Sequence, residues 1–521
     1  MEWVAYRTRS SPAVTTGRRT LPLLAVGPRR MIKLTQARPT LVAISALLLL
    51  VTSIVVVFFP GIFTPDVLDM CHQALTDRYT DAHSPIMVGL WGWVDPPVWT
   101  LFAASVSVIV GSSYVILRER LAWWTAIVAT VAVILAPPVL SFLTVQGKDG
   151  WFMASSLMLI ACLSLLSRRC LGRWTTLGVW VIAGTAAWSA IGARRNAMFA
   201  VFAILLVGTP LASRVSDRTV NLRYRLRFSA LAILLAVAAT GLILVAQSIL
   251  TSTVITPSES HLEQWFMRLD LAQMSLIGGE QVYPTELRKL GLSPNETGPE
   301  FVGPGSTVTP PPSRPSLSRQ RDVDTLRSAW RRTVLDYPIL YLRFRLRYAA
   351  IILGLKGAPA AVIETPVLPS DLPPEWGISC PLPDPIITGL GPRIERGLWG
   401  PQTSPIALPW VDLIVLALAS VVVGLRSVAA RGLLVLAVLN ELSVVFLSID
   451  PIGRYSWPLW VCTALMVALA VARRSWGRWV PRARRLLGTD GAHRNSPTDP
   501  LPESAEPDQA NGAESNTRAD C

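Results

Sequence analysis

Apolar residues fall into ten long runs, at 41–59, 97–117, 121–143, 151–166, 174–191, 197–211, 228–250, 406–425, 433–447 and 457–471. A helix rises 1.5 Å per residue, so roughly 20 apolar residues cross a hydrocarbon layer about 30 Å thick. Short polar turns separate most of these runs. The pattern predicts an all-α polytopic membrane protein with about ten transmembrane helices. One polar stretch stands out, 64–95, which follows the first run and carries Asp66, Asp69, His72, Asp77, Asp81 and His83 before Ser84-Pro85 opens a Trp-rich segment.

Charge orients the runs. The first 38 residues carry Arg7, Arg9, Arg18, Arg19, Arg29, Arg30, Lys33 and Arg38, and such segments stay on the cytoplasmic side. Alternate turns are basic, at Arg118-Glu119-Arg120, Arg168-Arg169, 214–227, Arg426 with Arg431, and 473–485. Both termini are therefore expected in the cytoplasm, in the cell (plasma) membrane. The first run begins near Thr40, is too long for a signal peptide and is followed by no small-residue cleavage motif, so it should remain as an anchor.

The expected organisation is a basic cytoplasmic tail at 1–39 and a transmembrane core at 40–250 with a first outer loop at 60–96. An extracytoplasmic loop domain with interfacial helices follows at 251–405, then C-terminal spans at 406–472 and a cytoplasmic tail at 473–521. That tail is polar and low in large apolar residues, and disorder is expected over most of it. Within the large loop, 260–277 and 323–355 read as helices. Arg343, Arg345 and Arg347 make the second a poor span, and an interfacial helix with its arginines at headgroup level is expected.

Composition agrees with this picture: 51% hydrophobic and 16% charged residues over 521 positions exclude an ordinary soluble globule. The net charge of +14 could suggest nucleic acid, but the basic residues sit in blocks between apolar runs, and no nucleic-acid partner is expected. Cys71 and Cys380 would both face outside, either bridged or as two free thiols. Cys162 and Cys462 lie in spans, and Cys170 and Cys521 fall inside. No CxxC pair or CaaX box occurs, and Asn295-Glu296-Thr297 forms a glycosylation sequon.

On this topology Asp66, Asp81, His83, Lys148, Asp149, Arg194, Arg195, Asn196, Asp450 and Arg454 all reach the outer face. Basic residues are disfavoured in short outer loops, so Lys148, Arg194, Arg195 and Arg454 call for an anionic ligand, with pairing to Asp or lipid phosphate as the alternative. Asp81-Ala82-His83 could accept a hydroxyl proton or bind a divalent cation; it could equally form a turn before Pro85. Asp66 could equally cap a helix, and Lys148-Asp149 could be a surface ion pair. Arg195-Asn196 and Arg454-Tyr455 precede inward spans, where helix N-termini receive phosphate. His261, Glu263, Trp265, Arg268 and Asp270 fall on one amphipathic helix and suit packing better than chemistry.

With Pro65-Asp66, Tyr79-Thr80-Asp81-Ala82-His83-Ser84-Pro85, Lys148-Asp149, Arg195-Asn196, Leu269-Asp270-Leu271-Ala272 and Arg454-Tyr455 in view, the chain resembles bacterial members of the GT-C superfamily. These are integral membrane glycosyltransferases that use polyprenyl-phosphate-linked sugars. The resemblance implies an acidic catalytic residue in the first outer loop, Asp66 or Asp81 here, with His83 orienting it or binding a cation. Lys148, Arg195, Asn196 and Arg454 would hold the donor phosphate, with Asp149, Arg194, Asp270 and Tyr455 as further candidates. Ser84 stands where similar sequences often read His-Pro-Pro, and no clear DxD occurs; no cofactor is required by the motifs, and a divalent cation, Mg or Mn, is compatible with them. Expected partners are the lipid-linked sugar, membrane lipids and a cell-envelope glycan, lipid or protein acceptor. A lipid or polysaccharide transporter or flippase, or a non-catalytic scaffold, are the alternatives. A transporter should carry polar residues within its spans, which read as nearly free of them apart from Ser and Thr, and no internal repeat supports one.

Overall fold

The structure, a computed structural model, describes residues 28–61, 63–80, 83–94, 99–145, 147–167, 171–194, 196–208, 222–255, 261, 263–294, 317, 319–355, 380, 408–425, 427–447 and 456–486. Among them helices account for the regular structure and no strand occurs. The protein is an all-α polytopic membrane protein. Among the described residues six helices are long and apolar enough to cross a bilayer: α1 (Pro28–Phe58), α4 (Trp99–Leu117), α7 (Lys148–Leu166), α8 (Arg173–Ala193), α10 (Leu222–Leu250) and α16 (Val428–Leu447).

The expected span at 121–143 is instead two helices, α5 (Trp123–Ile134) and α6 (Pro137–Thr144), bent by 73°. The physical reason is Pro137-Pro138, which can start a helix but cannot continue one. Three more of the expected spans are, among the described residues, shorter apolar helices: α9 (Ala197–Gly208), α15 (Pro409–Val423) and the Trp457–Arg473 part of α17 (Trp457–Leu486). With the bent pair counted as one span, up to seven spans meet the length criterion among the described residues, and the other three of the ten sequence runs are the shorter helices.

Helix α7 is the hub. It packs on α4, α8, α9 and α16, and 67% of its spanning segment is buried, against 22% for α1 and 17% for the corresponding segment of α10. The exposed faces of α1 and α10 carry Leu41, Leu48, Leu49, Leu234, Leu242 and Val245, a surface suited to lipid. The bundle has two poles. At one lie the end of α4 with Glu119 and Arg120, and the junction of α15 and α16 with Arg431. At the other lie the start of α7, the end of α8 and the first loop.

That first loop is folded rather than a simple turn. Thr64 caps α2 (Pro65–Thr76), its hydroxyl accepting the Val67 N–H at 3.4 Å, and Pro65 occupies the first helical position. The helix is amphipathic: Val67, Leu68, Met70 and Cys71 are buried, while Asp66, Asp69 and Gln73 follow an i, i+3, i+7 stripe. Helix α3 (Pro85–Val94) packs against α8, and Ser84 Oγ donates to the carbonyl of Gly192 at the end of that helix. Cys71 and Cys380 form a disulfide across 309 residues, which decides between the two readings of these thiols.

Beyond α10 a helical layer covers the same pole: α11 (Glu263–Gly278), α12 (Thr285–Lys289), α13 (Gln320–Asp336) and α14 (Pro338–Ile352). Its core joins Met267, Leu271, Tyr283, Leu287 and Leu326, and a second cluster of Leu269, Phe344, Tyr348 and Ile352 rests on Val444 of α16. Pro338 divides the helix expected at 323–355 into two. Arg343 and Arg347 are exposed, but Arg345 is not at headgroup level: it is 2% exposed and paired at 2.7 Å with Asp270, itself fully buried. The helix periodicity explains this, because Tyr341, Phe344, Arg345 and Tyr348 share one face.

Non-reducing digestion followed by mass spectrometry should recover a peptide of Cys71 linked to one of Cys380. Cys71→Ser should lower stability by about 2–4 kcal/mol, read as a drop in the thermal midpoint; a midpoint unchanged by the substitution would show that the bridge adds nothing.

Candidate functional site

The site is built where α2 meets the N-terminus of α7. Gly147 precedes α7 with φ of +122°, and a Cβ there would lie 2.8 Å from Val67 Cγ2. Only glycine combines that backbone with so close an approach. The contact sets the first turn of α2 beside the first residue of α7, and Lys148 Nζ lies 3.3 Å from Asp66 Oδ2. The same ammonium is 3.2 Å from His83 Nδ1. Because an ammonium only donates, Nδ1 accepts and the ring proton sits on Nε2, which donates to Asp69 Oδ2 at 2.9 Å. Asp69 also accepts from Gln73 Nε2 at 2.8 Å, and Gln73 Oε1 accepts the Thr80 N–H at 3.0 Å.

One chain of contacts thus runs Asp66, Lys148, His83, Asp69, Gln73 and back to the loop. His83 is buried, whereas Asp66 and Lys148 are partly exposed. A small cleft opens beside them, bounded by Thr64, Asp66, Val145, Lys148, Asp149 and Trp457. The free N–H groups of the first turn of α7 lie at the same place, where anions are stabilised.

Lys148 and Asp149 do not pair with each other. Asp149 turns to Arg194 at 2.8 Å, and the Arg194 guanidinium lies 5.7 Å from the Phe152 ring centroid. Asn196 donates to Ser443 Oγ at 2.9 Å, tying the turn after α8 to α16. Asp66, His83 and Lys148 are therefore brought together, Asp149 and Arg194 form an adjoining pair, and Asn196 anchors a helix contact. Asp81, Arg195, Asp450, Arg454 and Tyr455 lie outside the described residues.

Asp270 belongs to a different cluster, within the covering layer. It accepts from Trp330 Nε1 at 2.9 Å and faces Arg345, whose guanidinium is ringed by Phe266, Tyr341, Phe344 and Tyr348 at 4.7–6.0 Å. Burial pushes its carboxyl up to about 6, against Arg345 and Trp330, which favour the anion.

Sequence named Asp69 only as a member of the polar stretch 64–95 and did not name Gln73. Asp69 and Gln73 complete the His83 contacts, and their signal was the shared stripe with Asp66 on α2. The spans are also less free of polar groups than the sequence reading holds: Asp412, Asn440 and Glu441 lie in α15 and α16. Glu441 is 3% exposed and accepts from Ser456 Oγ at 2.8 Å, next to Trp457 of the cleft. A carboxylate inside an apolar run is itself the signal that should have drawn attention.

Among the described residues no three His, Cys, Asp or Glu side chains converge to hold a metal ion. Lys148 stands between Asp66 and His83, where a divalent cation would have to displace it, so these residues do not fit Mg or Mn. Compared with known proteins, the chain matches no family model, no curated protein and no solved structure.

The folded state holds the Asp270 proton more tightly than the unfolded chain. This titration therefore contributes stability below about pH 4 that is lost as pH rises through about 6. Asp270→Asn should flatten the pH dependence of thermal unfolding between pH 4 and 7. It should also lower stability at pH 7 by roughly 3–5 kcal/mol, because Arg345 keeps its charge without a partner. An unaltered profile would assign the titration to another group.

Proposed function

We propose that this protein is a glycosyltransferase of the cell (plasma) membrane, moving a sugar from a polyprenyl-phosphate donor to an acceptor on the extracytoplasmic face. The acceptor would be a cell-envelope glycan, lipid or protein. The observation that carries the reading is the Lys148 ammonium held between the Asp66 carboxylate and the His83 imidazole at the first turn of α7. A lipid-linked donor keeps its phosphate at the membrane rim, where this cluster sits if the basic pole is cytoplasmic.

The chemistry follows from competition for one cation. In the resting site Lys148 neutralises Asp66, which makes the carboxylate a weak base. An arriving donor phosphate draws the ammonium to itself, aided by the N–H groups at the start of α7 and by Arg195 and Arg454, both expected on this face, while Asn196 holds the turn through Ser443. Asp66, deprived of its counter-charge, gains proton affinity and takes the proton from the acceptor hydroxyl. The acceptor oxygen bonds to the anomeric carbon as the bond from that carbon to the phosphate oxygen breaks, and polyprenyl phosphate leaves with the electron pair. Lys148 stabilises the charge that develops on the leaving oxygen. His83, oriented by Asp69, holds Lys148 within reach of both positions.

A second reading, a lipid or polysaccharide transporter, has one observation in its favour: buried Glu441 and the neighbouring polar residues of α15 and α16. The two diverge experimentally. In proteoliposomes supplied with polyprenyl-phosphate sugars, Asp66→Asn should lower transfer by about 10²–10⁴, and Lys148→Gln should raise the donor KM and reduce kcat. Glu441→Gln should leave transfer within a few-fold of wild type. Full transfer in Asp66→Asn would remove the base assignment, and absence of transfer with every donor, accompanied by lipid movement lost in Glu441→Gln, would favour the transporter.

A further inference from the structure

The opposite pole holds a second concavity, of about 610 Å³, where the end of α15 meets α17 and the turn after α4. Arg120 and Arg473 line it together with Val421, Val423, Leu425 and Leu469. Gly424 ends α15 with φ of +73°, and a Cβ there would meet Arg473 Nη1 at 2.9 Å. Without that Cβ, Arg473 reaches across and its Nη1 donates to the carbonyls of Val422, at 2.8 Å, and Val423. These contacts occupy one nitrogen of the guanidinium. Arg120 is half-exposed and lies 3.9 Å from the Glu119 carboxylate, which accepts from Ser164 Oγ at 2.7 Å. Two guanidiniums thus share a pocket whose other walls are apolar.

An apolar track leads away from it. Ile414, Leu418 and Val421 recur at i, i+4 and i+7 along α15 and are 51%, 63% and 81% exposed, and Leu425, just past the end of the helix, is 47% exposed. Cationic groups at one end and a continuous exposed hydrocarbon face at the other match an amphiphile with an anionic head, whereas a free anion would use only the charge. We propose that this concavity binds an anionic phospholipid of the leaflet at the basic pole. Its phosphate sits between Arg120 and Arg473, and an acyl chain lies along Val421, Leu418 and Ile414. The positive-inside pattern places this pole in the cytoplasmic leaflet, where anionic lipids concentrate.

The test uses the full chain purified in a neutral detergent, with thermal unfolding followed after adding phosphatidylglycerol, phosphatidylcholine at the same mole fraction, or inorganic phosphate. Phosphatidylglycerol should raise the midpoint by at least about 2 °C, and the other two should leave it unchanged. Arg120→Gln should keep the lipid-free midpoint and lose at least half of the rise. Arg473→Gln also removes the contacts to the α15 carbonyls, so Arg473→Lys, which keeps the charge, serves as its control and should retain part of the rise. Equal shifts with both lipids, an equal shift with inorganic phosphate, or a full phosphatidylglycerol shift in Arg120→Gln would each overturn the proposal. Sugar transfer is not the readout, so this result stands or falls apart from the glycosyltransferase reading.

Discussion

Hydrocarbon solvates neither charges nor open backbone groups, and this one constraint sorts the chain. Apolar segments close their hydrogen bonds internally as helices, and most charged side chains are driven to the two ends of the bundle. What remains for tertiary structure is to decide which polar ends meet. At the first-loop pole that decision falls to a small contact, Gly147 against Val67, which lets α2 sit on the start of α7. Lys148, Asp66 and His83 meet because those two backbones can come so close.

Support for the site comes from beneath it. Helix α7 is enclosed by four neighbours, so the residue at its N-terminus is carried by the most firmly packed spanning segment of the molecule. Sites mounted on such elements hold their geometry better than sites on free loops. Asp69 and Gln73 steady the imidazole from α2, and the Ser84 contact with Gly192 fixes the segment just after His83. The covering helices, resting on α16 through Val444, add a lid of packed side chains over the same end.

Much of this was legible in the sequence. Apolar runs and basic turns marked the all-helical membrane class and sorted Asp66, His83 and Lys148 to one face. Lys148-Asp149 shows the limit of such reading. Adjacent residues on a helix point about 100° apart, so the two side chains serve different partners, Asp66 and Arg194, that local sequence does not name. Arg345 is a second case. Its place on the stripe of Phe344 and Tyr348 could have been counted, but a buried guanidinium is reasonable only once Asp270, 75 positions earlier, is known to face it. Pro137-Pro138 did announce the bend in the third run; hydropathy alone passed over it. Glu441 was hidden for the opposite reason, a single carboxylate diluted by the apolar residues around it.

The bridge between Cys71 and Cys380 spans 309 residues and encloses most of the helices between them. A ring of that size cannot close before residue 380 has been made, long after the first thiol. Oxidation of this pair therefore reports that the segment carrying Cys380 has reached the first loop, and a Cys71 thiol open to alkylation would identify molecules in which the two have yet to meet.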